Sequence, residues 1–179
     1  AVVLFTTMED LSGIVYLQEI STNYLRFLNF QNIDSGAVGY SLIISMWSIG
    51  SLVASIGIGK KYINLGGLTS LILGGFLVCL AIFFEGLSKD ILIIALFFVV
   101  GGAGNAIHNI GVRNIVYDNI SEGLQGRAWT FIGASFTIFS AFGKFLGTPY
   151  LIAEPKNVIF LSGLVGMVLI LISLVFIIF

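Results

Sequence analysis

Six apolar stretches, each near twenty residues or longer, run through this chain at 1–28, 37–59, 67–86, 90–116, 127–150 and 157–179. An α-helix needs runs of that length to cross a hydrocarbon core of ~30 Å at a rise of ~1.5 Å per residue. Membrane barrels use alternating segments of about ten residues, and these stretches do not alternate. The connections are short and carry turn chemistry, at 32–36, 64–67, 88–90, 121–123 and 154–157. Short links between long spans make antiparallel neighbours. The predicted fold is an all-α integral membrane protein, with residues 1–179 forming one six-helix transmembrane bundle.

Charge supports the same class. Only 9% of residues are charged and 58% are hydrophobic, whereas a soluble domain carries about 25% charge. A net charge of −1 offers nothing to nucleic acid. Cys79 is the single cysteine, so an internal disulfide and a paired-cysteine metal site are both excluded. No metal and no cofactor is expected. Residue 1 already lies in an apolar run, with no initiator Met and no basic region before it. That predicts a chain that lacks its true start or is the C-terminal part of something longer.

The first span is apolar enough for a bilayer, yet Glu9, Ser12, Tyr16, Glu19, Asn23 and Arg26 lie on it, spaced 3, 4, 3, 4 and 3 residues apart. This spacing puts all six on one stripe of one helix. A charge at the centre of a membrane helix costs about 2.5 to 3.5 kcal/mol on insertion scales. Several charges on one line therefore call for a water-filled cavity inside a bundle. Asp10 follows Glu9 and points about 100° away, toward a neighbouring helix or the inner mouth.

The fourth span holds Asn105, His108, Asn109 and Arg113 after the small-residue run Gly101-Gly102-Ala103-Gly104. Asn105, His108 and Asn109 share a face, and the glycines permit close helix approach. Glu9 and His108, the only histidine, both fall ~12–14 Å from the inner ends of their helices. Similar depth makes a carboxylate–imidazole pair possible, with Glu9, Asp10 and His108 as proton-coupling candidates. A membrane histidine can equally bond a neighbouring backbone carbonyl. The fifth span repeats the pattern with Thr130, Gly133, Thr137, Ser140, Lys144 and Gly147. There the alternatives are helix packing by small residues and a Lys144 that snorkels to the surface. The third and sixth spans read as bland, with no charge in the membrane interior.

Basic residues near span ends favour an N-terminus on the inside. Lys60, Lys61, Arg113 and Arg127 then lie at the inner face as loop and gate residues, opposite Arg26, Lys89 and Lys156. Long polar helices at positions one and four, and bland ones at three and six, suggest two inverted three-helix repeats, about 1–86 and 90–179.

The stretch 109–147, NIGVRNIVYDNISEGLQGRAWTFIGASFTIFSAFGKFLG, resembles the tenth and eleventh helices of a major facilitator superfamily transporter with the acidic turn between them. The stretch 50–67, GSLVASIGIGKKYINLGG, is similar to the degenerate second copy of that family's glycine-and-basic loop. It lacks the acidic residue of the N-terminal copy, and the fourth span lacks that half's arginine. The resemblance is thus to a C-terminal half, closest in look to bacterial exporters of the macrolide-efflux and siderophore-export type. It implies a secondary active transporter, an antiporter coupling protons to efflux of a small amphipathic organic compound by alternating access. Its partners would be the bilayer of a bacterial cytoplasmic membrane, a missing N-terminal six-helix half, a small-molecule substrate and protons. The first, second, fourth and fifth spans would line the cavity or its gates, with the third and sixth facing lipid. Lys144 and the Glu9-Asp10 doublet depart from the family pattern. An importer of the same fold is the nearer alternative. An intramembrane serine protease using Ser135 and His108 is the distant one, since such proteases usually present the serine first.

Overall fold

The computed structural model describes residues 10–27, 35–58, 66–151 and 154–178. These residues are helical throughout apart from short links: α1 (Asp10–Phe27), α2 (Ser35–Val53), α3 (Gly67–Leu87), α4 (Ile91–Asn119), α5 (Glu122–Leu151) and α6 (Pro155–Ile178). A π-helical turn, Ala54–Ile58, continues α2. Local chemistry sets the ends. The Asp90 side chain accepts the Leu92 N–H at 2.8 Å and caps α4. Pro155 opens α6 at the first helical position, where its missing N–H costs nothing.

Among the described residues, four segments are long and apolar enough to cross a membrane: Val38–Gly57, Gly67–Leu87, Ile91–Asn119 and Pro155–Val175. This is the composition of an integral membrane protein. The polar stripes lie on the other two helices, α1 and α5.

The bundle is built around α3, which packs most extensively on α4 and next on α6, while α4 also packs on α2, and α2 on α1. Glycine permits the closest crossing. A Cβ on Gly74 of α3 would overlap the His108 backbone, and one on Gly104 of α4 would lie 2.6 Å from Leu77 Cβ. Dispersion contact and bilayer exclusion then hold backbone against backbone, as small residues allow in membranes. Ser51 adds a bond across α2 and α4, its hydroxyl donating to the Gly102 carbonyl at 2.8 Å. Leu17, Ile94, Ile107 and Ile159 are fully buried, one each from α1 and α6 and two from α4. The third helix, expected on the lipid side, packs against two neighbours, α4 and α6.

α5 is the opposite case. It touches α1, α6 and α4 only sparingly. Phe131 and Phe145 are 73% and 72% exposed, and Ile138, Phe139 and Phe142 are exposed with them.

Candidate functional site

Tyr16, Glu19 and Asn23 stand one helical turn apart on α1 and line a cavity of about 770 Å³. The volume is in the range of small-molecule sites, about 300–1,000 Å³. Lys89 and Asp90 enter from the link between α3 and α4, and Lys156 from the first turn of α6. The lining is therefore mixed in charge, with two carboxylates, Glu19 and Asp90, against two ammonium groups.

One contact fixes this arrangement. Tyr16 is 7% exposed, and its hydroxyl donates to the Ser88 carbonyl at 2.7 Å. The link that carries Ser88 is itself braced, since the Ser88 hydroxyl accepts the Asp90 N–H at 3.0 Å. The phenol thus holds α1 against the floor of the cavity while its ring stays in the core. Glu19 and Glu85 both lie within electrostatic reach of that phenol.

The remaining sequence candidates are dispersed. His108 is half-buried and its Nδ1 meets the Leu71 carbonyl of α3 at 3.1 Å. A carbonyl only accepts, so Nδ1 carries the proton in the neutral ring and Nε2 is the nitrogen left to exchange. This is the backbone bond that a membrane histidine often makes. It turns His108 toward α3, roughly 25 Å along α4 from Ile91 and the charged cavity. Asn105 is half-buried and Asn109 exposed near it. Glu9, Lys60 and Lys61 lie outside the described residues. Asp10 and Ser12 belong to the first turn of α1. Arg113 and Arg127 are exposed on either side of the link between α4 and α5. On α5, Thr137 is exposed and its hydroxyl donates to the Gly133 carbonyl at 2.9 Å, within the same helix. Ser140 is half-buried and Lys144 exposed on the same stripe. Ser135 sits on α5, which meets α4 only slightly, so nothing in the helix packing carries it toward His108.

Two residues missed in the sequence reading stand out. Glu85 lies inside α3, in a helix read as bland, and is 2% exposed. Its sequence signal is an acid embedded in the apolar run AIFFEGL. Trp47 of α2, which has no usable sequence pattern, lines a second cavity together with Glu85.

Comparison with protein-family models, curated proteins and solved structures returned no match.

Proposed function

We propose that the chain is a six-helix half of a secondary active transporter of the major facilitator type. The observation that carries this reading is the charged cavity of about 770 Å³ lined by α1, in a bundle where four helices are apolar enough to span a bilayer. The cleft opens at the end of the bundle that carries the α3–α4 link, where Glu19, Lys89 and Asp90 are exposed and can meet water or a polar solute instead of lipid.

The helix neighbours support inverted repeats. Exchanging α1, α2 and α3 for α4, α5 and α6 carries the pair α3–α4 onto α6–α1, α2–α4 onto α5–α1, and α1–α2 onto α4–α5. All of these pairs are in contact, the first of each far more extensively than its counterpart, while the contact α5–α6 has no comparable counterpart between α2 and α3. The exposed aromatic face of α5 supports a second six-helix half as partner, since bare phenylalanines on a weakly packed helix suit another helix surface or lipid. The solute is a small amphipathic organic compound, moved by alternating access across a bacterial cytoplasmic membrane, outward and against protons. Glu9 or Asp10 supplies the coupling carboxylate, with His108 Nε2 as the candidate second proton site.

The test is transport by the protein in sealed proteoliposomes enclosing a pH-sensitive dye. Adding an amphipathic fluorescent substrate should drive proton movement opposite to substrate movement. Glu9→Gln combined with Asp10→Asn should abolish uphill transport and leave exchange at equal concentrations largely intact. Uphill transport with an unchanged pH profile in that double variant would remove proton coupling through α1.

A further inference from the structure

The charged cleft holds its charges apart. Glu19 and Asn23 face it from α1, Lys89 and Asp90 from the link between α3 and α4, and Lys156 from the first turn of α6. Glu19, Asn23, Lys89 and Asp90 are exposed and Lys156 is half-buried. Among the described residues, none of the four charged side chains lies within ion-pair distance of an opposite charge. Asp90 uses one carboxyl oxygen to accept the Leu92 N–H at 2.8 Å. Glu19 accepts no hydrogen bond among the described residues, so both of its oxygens are open. The wall beside these charges is apolar, made by Ile20, Ile91 and Leu92, the last 64% exposed.

We propose that this cleft binds a small zwitterion with an apolar arm, its ammonium held by Glu19 and its acid group by the Lys89 and Lys156 ammonium groups. The charge pattern excludes the simpler ligands. A metal ion or an organic cation would meet two ammonium groups, and an organic anion two carboxylates. A solute that carries both signs is attracted by the lining as a whole. Like charges reject the wrong solute, so such a lining acts mainly on specificity. Each lysine ammonium rides on a flexible four-carbon stem and can follow an acid group. The apolar wall receives the arm, and about 770 Å³ accommodates a solute of this size. Because the cleft opens at an end of the bundle, the zwitterion has two sources: a free amino-acid-like solute, or the ethanolamine phosphate head of a membrane lipid. The proposal deepens the transporter reading by naming its substrate class, and it rests on that reading only for the statement that the zwitterion is carried.

L-Leucine, isopentylamine and isocaproate share one arm and differ only in charge. Glycerophosphoethanolamine stands for the lipid head, with ethanolamine and glycerol phosphate as its single-charge analogues. Each would be titrated by calorimetry into the full chain in maltoside micelles, with empty micelles as the blank. Leucine should bind saturably, and isopentylamine and isocaproate at least about tenfold more weakly. Glu19→Gln should bring leucine down to the affinity of isocaproate. Lys89→Gln combined with Lys156→Gln should bring it down to that of isopentylamine. Either order of the two zwitterions upholds the class: leucine ahead assigns the cleft to a free solute, and glycerophosphoethanolamine ahead assigns it to a lipid head. Equal binding of a zwitterion and either of its single-charge analogues, an affinity indifferent to both sets of variants, or no saturable binding of either zwitterion would each overturn the proposal. Should a variant fail to fold, the comparison of ligands on the unaltered chain decides by itself. Charge-dependent leucine binding by a protein that moves no leucine across vesicles would keep the site and remove the transport reading. Coupled transport of singly charged solutes without zwitterion binding would do the reverse.

Discussion

Tyr16 joins the core to the cavity through one hydroxyl. Tyr16→Phe keeps the ring and removes only the bond to the Ser88 carbonyl. A net loss of about 0.5–1.5 kcal/mol is expected, the ordinary worth of one intramolecular hydrogen bond. Thermal unfolding in detergent would read it, and an unchanged midpoint would show that the phenol does not brace the link. The stripe that contains Tyr16 was legible in the sequence because side chains three and four residues apart on a helix must share a face. The pairing of Glu9 with His108 was a different kind of inference. Equal depth on two helices says nothing about rotation around either axis, and His108 turns toward Leu71 because Gly74 lets α3 approach it. Glu85 was illegible for a third reason. Two residues from the end of its helix, it has the sequence of an interfacial acid, and only tertiary packing buries it.

At the scale of elements, the crossings set stability. Gly74→Ala places a methyl on the His108 backbone, so α3 and α4 must move apart. Overpacking of this kind costs about 1–3 kcal/mol. Gly133→Ala on α5 meets nothing within 4 Å, and should be neutral or stabilising by up to about 1 kcal/mol through helix propensity. Denaturation of the two variants side by side checks the pair. Equal effects would mean that α5 is packed as tightly as α3. The helices themselves were legible, since apolar runs of spanning length bounded by Gly, Asn, Asp and Pro leave few alternatives. The order of packing was not. Period and polarity reveal which helices carry charge, but not that α3 would be held between α4 and α6 through glycines lacking any polar signal.

For the whole molecule, the proposal of six antiparallel spans requires the links to alternate sides. Cysteines at Lys61 and Ser121 should react with a membrane-impermeant maleimide from the cytoplasm, and cysteines at Asp34 and Ser88 from outside. Labelling of Lys61→Cys and Asp34→Cys from one face would end that topology.

Alternating access is the central claim, and it is tested most directly at Asn23, which lines the charged cavity and is exposed there. Asn23→Cys in sealed vesicles of known orientation would be labelled with an impermeant maleimide added to either side, at rest and under an imposed pH gradient. The expected result is labelling from both faces, with the ratio of the two rates shifting by about tenfold or more when the gradient is applied, equivalent to about 1.4 kcal/mol of population shift. Labelling from one face alone, at a rate indifferent to gradient and substrate, would contradict the account.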